Sequence, residues 1–366
     1  MSMIYRIRYL LFLMLCLLAV SVFSENLSTW QKRMPISFDG YSGDETLINF
    51  PALIILEEAD TETGFNYSEF LSGDYDDLRF ADDNLIPLDF EVESWDPNGK
   101  SYVWVRVPEL TASTTIYVLW GQEGVSLPSC ATDGSVWDAS YKSVWHLNEN
   151  SLDSTLNNKH GTDNNVNPVS GLIAGAYEFP AGKTTYIATP SNFSGYGIAD
   201  SFTISCWFLA QSEAIQMLMC DGTSATLGGI YLSISKTDNS RVRVDTLTML
   251  AYNDDIHVGL FGSDWHHIAL VYDGATVRLY FDGDVKWGPA SLTGDLKSGN
   301  ALVFLGGRSP GNLLFKGLMD EARISSVARS ADWIEACIKN QSENADFVNY
   351  GAVIQKAAGG TIYSIR

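Results

Sequence analysis

Basic residues are scarce in this chain: 23 Lys and Arg stand against 44 Asp and Glu in 366 residues. Such a balance repels a phosphate backbone, which excludes nucleic acid as a main partner. Histidine is scarce as well, with five copies, and none lies in an HExxH spacing. A glycine-rich phosphate loop and a G-x-S-x-G elbow are also lacking, so the sequence carries no signature of a metalloprotease, a nucleotide-dependent enzyme or a serine hydrolase. The five cysteines fit no zinc-ligand spacing. Apolar runs approaching a membrane-spanning length are limited to one, near the start.

That run covers residues 9–22, follows Arg6 and Arg8, and ends in Val22-Phe23-Ser24. Charged start, apolar middle and small residues at the end describe a signal peptide over residues 1–24. The mature chain is then expected to be exported, placing it in a secreted, periplasmic or cell-surface setting with no membrane span. Loss of Arg6 and Arg8 takes the formal charge from -21 to -23. Four cysteines remain, Cys130, Cys206, Cys220 and Cys337; they allow three pairings, with Cys206–Cys220 geometrically possible if their strands are joined near Glu213, or they are buried free thiols.

Past the leader, strands and turns dominate. Residues 102–107 (YVWVRV) and 114–121 (TTIYVLWG) are rich in β-branched and aromatic residues and bounded by turn formers. They predict a β-sandwich over residues 25–121, followed by a Gly/Ser/Pro/Asp-containing linker over 122–140. In the remainder, WHHIALVY, Asp273-Gly274, TVRLYF and Asp282-Gly283 follow one another over residues 265–283. Asp-Gly between alternating runs is a strong hairpin signal, because both residues tolerate the positive φ of the tight turn. One short helix is predicted from Ser330 to about Asn340, capped by Ser330, with Trp333, Ile334, Cys337 and Ile338 on one face. The fold class is all-β, a first sandwich followed by a second β domain with one C-terminal helix.

The segments VWHLNENSLDSTLNNKHGT (144–162), WHHIALVYDGATVRLYFDG (265–283) and FKGLMDEARI (315–324) resemble the laminin-G-like branch of the concanavalin A-like jelly rolls. The resemblance covers residues 141–348 and leaves 349–366 as a tail. WQKR (30–33), YDDLRFADDNLIPLDFEVESWD (75–96) and YVWVRVPELTASTTIYVLWG (102–121) resemble a bacterial domain of unknown function found before such jelly rolls. The jelly-roll resemblance implies a surface for glycans or protein partners and a structural calcium ion, with Asp153, Asp320 and backbone oxygens near Gly161 at the corresponding motifs. The alternative for these residues is that Asp153 caps a turn and Asp320 pairs with Arg323.

Two candidate surfaces remain. Tyr186, Tyr231 and Tyr252 are expected in loop or strand-edge contexts, where a ring face can stack on a sugar. The run DFEVE places Asp89, Glu91 and Glu93 on one strand face at spacings of roughly 6.5–7 Å, compatible with the carboxyl pairs of glycosidases. Against catalysis, Leu88, Phe90 and Val92 make the other face apolar, and three carboxylates on an open surface stay ionised, whereas a general acid needs burial. The run is therefore expected to be the wet side of a sheet. His266 and His267, adjacent on a strand, are expected on opposite faces, and His146 is expected to be structural. Together these observations point to an exported, non-catalytic recognition module for polysaccharide, cell-surface glycan or an extracellular protein. The alternatives are a polysaccharide-degrading enzyme and a purely adhesive component.

Overall fold

A computed structural model describes residues 25–59, 64–182, 184–222, 229–236, 240–258, 262–299, 301–308 and 312–356, and the backbone of 363–365. The predicted leader and part of the predicted tail lie outside the described residues. Two antiparallel sandwiches are present, as the alternating sequence pattern requires.

The first sandwich sets a three-stranded sheet, Leu47–Glu57, Lys100–Leu110 and Phe90–Ser94, against a seven-stranded one. The larger sheet runs through Lys32–Ser37, Thr115–Trp120, Arg79–Ala81 and Pro87–Leu88. Its other strands come from the far end of the chain: Asn349–Tyr350 and Ile354–Lys356 both pair with Lys32–Ser37, and Tyr363–Ile365 extends the sheet. The predicted tail is thus part of the first domain's sheet. The predicted linker is also structural, since Ala131, Val136 and Trp137 are buried in the first domain's core. Large apolar side chains in an otherwise turn-rich stretch hold it against that core.

The second sandwich packs an eight-stranded sheet on a seven-stranded one around a single core that includes Trp145, Phe179, Phe202, Phe208 and Leu270. The predicted hairpins appear as His266–Tyr272, Thr276–Phe281 and Asp284–Ser291. At the first turn Gly274 has φ +86°, and Asp273 accepts N–H bonds from Ala275 and Thr276. The four cysteines are free thiols. Cys206 lies on Phe202–Ala210 and Cys220 on Gln216–Cys220, strands of different sheets, which corrects the proposed facing pair.

The helix Ala331–Ser342, capped by Ser330 Oγ on Trp333 N at 3.1 Å, wedges between the sandwiches. Trp333 packs edge-on against Phe50 of the first domain at 5.1 Å, while Ile334 packs on Ala269, Val271 and Tyr280 of the second. Leu47–Glu57 is the edge of the three-stranded sheet, and an unpaired edge leaves backbone groups to be satisfied. Asn340 supplies them: its Oδ1 accepts from Leu53 N at 2.6 Å and its Nδ2 donates to Leu53 O at 2.9 Å. Asn344 Nδ2 donates to the same carbonyl, and Tyr350 Oη accepts from Ile55 N.

Candidate functional site: a buried histidine and carboxylate cluster at the junction

Strand Phe90–Ser94 does not face solvent with its acids. Its pairing to Lys100–Leu110 shifts between Val92 and Ser94, so Glu93 is the extra residue of a bulge. The Glu93 side chain keeps 2 % of its exposure, and its Oε2 accepts the Trp104 indole N–H at 2.8 Å. Glu91 Oε2 accepts Trp137 Nε1 at 2.7 Å, and Asp89 pairs with Arg106. The expected wet face is therefore wrong. The second sandwich and the supposed linker cover this sheet side, which local alternation cannot reveal.

The opposing wall comes from strand Gly317–Ser325. Met319 and Ala322 both point into the jelly-roll core, so the two residues between them must both leave it. A register shift opposite Ser205 and Trp207 and a φ of +50° at Glu321 accommodate this. Asp320 and Glu321 thus emerge side by side toward the first domain, with Arg323 beyond them.

His146, the residue after strand Tyr141–Trp145, sits at the centre. Its Nδ1 lies 2.5 Å from Glu321 Oε1 and 3.5 Å from Glu93 Oε2, and its Nε2 lies 3.7 Å from Glu91 Oε2. Its ring stacks on Trp104 at 5.8 Å with an interplanar angle of 21°. Arg323 donates to Glu321 Oε2 through Nη2 at 2.6 Å and lies over the Trp104 and Trp137 rings at 4.5 and 5.0 Å.

Burial pushes the Glu93 acid up to about 8, against the pull of His146. Burial likewise raises Asp320 well above the usual carboxylate range, helped by Glu321 and Glu93. Burial also opposes the Glu321 carboxylate, yet His146 and Arg323 hold it below its ordinary value. For His146, burial acts against the charge but Glu321 and Glu93 prevail and raise it well above its ordinary value. Burial thus favours the neutral forms of Glu93 and Asp320, while the Glu321 carboxylate is paired with His146 on one oxygen and Arg323 on the other. A paired carboxylate can be buried where an unpaired charge could not.

Among the described residues, Glu93, His146 and Glu321 form the group whose ligand atoms approach closely enough to hold a metal, within 4.8 Å of one another. In the observed arrangement the His146 Nδ1 contact is of hydrogen-bond length and a guanidinium already occupies Glu321 Oε2. These donors suit protons better than a cation. Next to the cluster, a cavity of about 30 Å³ lies between the sheet and the helix, lined in part by Glu321, Arg323, His267 and Trp333. That volume takes one or two waters, not a substrate.

The residues singled out from sequence are dispersed. Asp153 is buried and accepts from Val144 N, Thr155 N, Lys159 N, Ser143 Oγ and Thr155 Oγ1 at 2.7–3.2 Å. Five donors aimed at one carboxylate do not suit a calcium ligand, which must offer lone pairs to the ion. Asp320 Oδ2 accepts from Leu172 N and Ile173 N, and Arg323 pairs with Glu321 rather than with Asp320. The Gly161 N–H donates to Ser151 O, and a side chain at Gly161 would strike Ile187 and Ser151. His267 is buried and pushed down to about 3 by burial and by Arg323, whereas His266 Nδ1 meets Asp282 at 2.7 Å.

Tyr186, Tyr231 and Tyr252 all lie on the seven-stranded jelly-roll sheet. Tyr231 is 5 % exposed and packed with Met217, Cys220 and Leu313, so its placement corrects the expectation of an accessible ring. Tyr186 is half-buried, edge-on to Phe304, and its hydroxyl accepts from Asn164. Tyr252 is 48 % exposed on the edge strand Leu250–Ile256. Five strand spacings, roughly 24 Å, separate it from Tyr186, so the two cannot share one sugar. Sequence reasoning missed His146 and the burial of Glu93. The available signal was MDEAR, where two consecutive acids interrupt a strand whose neighbours are core residues.

Residues 181–335 match the family described as Concanavalin A-like lectin/glucanases superfamily. The second domain is a concanavalin A-like jelly roll. Residues 74–137 match a Domain of unknown function (DUF2341), so this domain precedes the jelly roll. Over part of its length the chain is similar to domain 4 of AbnA, a GH43 extracellular arabinanase from Geobacillus stearothermophilus, solved in complex with arabinotriose. The identity is 19 %, the TM-score 0.45, and 54 % of this chain and 98 % of that one are covered. The binding domain of Paraclostridial Mosquitocidal Protein 1 is similar at 17 % identity and TM-score 0.44, covering 55 % of this chain and 52 % of that one. The botulinum neurotoxin serotype D binding domain follows at 13 % and 0.42, with 55 % and 52 % covered. Among curated proteins, none matches the chain.

Proposed function

We propose that this protein is an exported, non-catalytic recognition module that binds carbohydrate through its jelly roll. The observation that carries this reading is an exposed apolar run at the edge of the seven-stranded sheet. Leu247, Met249, Leu250 and Tyr252 are 68, 42, 50 and 48 % exposed within six residues. Contiguous exposed apolar side chains mark binding surfaces, and the Tyr252 ring can stack on a pyranose. The acids of the junction support a non-catalytic reading, because Glu93 keeps 2 % of its side-chain exposure and Glu91 is engaged by the Trp137 indole N–H. No described helix is long and apolar enough to cross a membrane.

The test is retention on insoluble polysaccharides with reducing-sugar release measured in parallel. Retention without release is expected, and Tyr252→Ala should weaken it about fivefold, the loss for one aromatic contact of about 1 kcal/mol. Sugar release would instead establish an enzyme. Three aliphatic neighbours of Tyr252 favour a second reading, contact with an extracellular protein, and failure to bind any polysaccharide would select it.

A further inference from the structure

The first domain carries a surface groove of about 460 Å³ lined by Glu58, Tyr67, Ser68, Asp74, Trp95 and Pro97, a volume within the usual range of small-ligand sites. Trp95 is held from three sides: Tyr67 and Phe70 pack edge-on at 5.1 and 5.3 Å, and Tyr75 lies tilted at 4.9 Å. Tyr67 is fixed in turn, its hydroxyl bonded to Leu56 O and Ser101 Oγ at 2.8 Å. An aromatic floor immobilised before binding loses little entropy when a ligand arrives.

The rim has a different chemistry. Glu58 and Asp74 are exposed; among the described residues Glu58 accepts from Tyr67 N, at 2.9 Å through Oε2, and its other oxygen offers acceptor capacity. The Trp95 indole N–H adds a donor. A floor of rings beneath carboxylate acceptors and an N–H donor matches a polyhydroxylated ring, which presents one C–H face and a belt of hydroxyls that both donate and accept. Two carboxylates with no cation among the lining residues repel uronic or sulfated chains, as does the net charge of the whole protein.

We propose that this groove is a saccharide subsite in the first domain, selective for uncharged polysaccharides. It rests on the carbohydrate reading above and assigns the ligand class. The test uses the full chain in affinity gels containing starch, xylan, laminarin or hydroxyethyl cellulose, with alginate and polygalacturonate as anionic controls. Retardation by at least one neutral polymer is expected, with affinity reduced about tenfold or more by Trp95→Ala, as for a central aromatic anchor. Asp74→Asn, which alters an exposed side chain and leaves the fold intact, should weaken binding several-fold and keeps the test valid if Trp95→Ala fails to fold.

Unchanged binding in Asp74→Asn and Trp95→Ala, with loss in Tyr252→Ala, overturns the groove while the carbohydrate reading stands. Retardation by the anionic polymers alone overturns the ligand class. No retardation of the wild type by any polymer removes both proposals.

Discussion

His146 meets carboxylates on two sides, Glu321 at 2.5 Å and Glu91 at 3.7 Å, so removing it strands charge rather than merely losing a contact. His146→Ala should cost about 3–5 kcal/mol of unfolding free energy, the usual penalty for an unpaired buried ion, measured by urea denaturation. The pH dependence follows from Glu93. Its folded value near 8 lies above the ordinary 4.5, so the folded state holds a proton the unfolded chain has released. The stability tied to that proton is full below about 4.5 and is lost as pH rises toward 8, by about 1.4 kcal/mol per unit at most. His146 is raised as well and acts in the same direction above its ordinary 6.5. Wild type should therefore melt lower at pH 8 than at pH 6, and Glu93→Gln, which keeps an acceptor for Trp104, should flatten the profile. Parallel profiles for the two proteins would contradict this assignment. Because Asp153 is satisfied by protein donors, EDTA and added calcium should both leave the melting midpoint unchanged; a shift with either would show a cation there.

At the level of elements, what could be read in advance was what short-range chemistry determines. Asp273-Gly274 fixes its hairpin within four residues, and Ser330 fixes the helix start. The bulges at Glu93 and at Asp320-Glu321 are set by what packs across the junction, so the alternation of DFEVE named a face without naming its neighbour. Asn340 is instructive in the same way. It begins an Asn-x-Ser sequence that matches a glycosylation site, yet it is fully buried and serves as a surrogate strand for Leu53. Asn340→Ala would leave the Leu53 N–H and, in part, its carbonyl unsatisfied. A loss of about 1–3 kcal/mol is expected, against about 1 kcal/mol for Ser330→Ala at the helix cap; equal small effects would argue that water replaces the asparagine.

For the whole molecule, the helix, the former linker and the histidine cluster join the sandwiches into one packed body. A single calorimetric transition is expected, with the calorimetric enthalpy equal to the van't Hoff value; two separable transitions would show that the junction is weaker than its burial suggests. The two-domain, all-β order was legible because strand periodicity recurs along the chain and three different jelly-roll motifs stand in order at 144–162, 265–283 and 315–324. The return of residues 349–356 to the first sheet was not, since Asn349–Tyr350 and Ile354–Lys356 are short strands with no alternation to mark their partner.

That return makes the jelly roll an insertion within the first domain, bracketed by strands that must find each other across more than three hundred positions. During vectorial synthesis, which delivers the N-terminal end first, strand Lys32–Ser37 waits with one edge open until residues 349–356 emerge. The inserted jelly roll can mature during that interval. Completion of the first sandwich then follows delivery of the jelly roll, and a chain interrupted before Asn349 would carry a folded jelly roll attached to an unfinished partner.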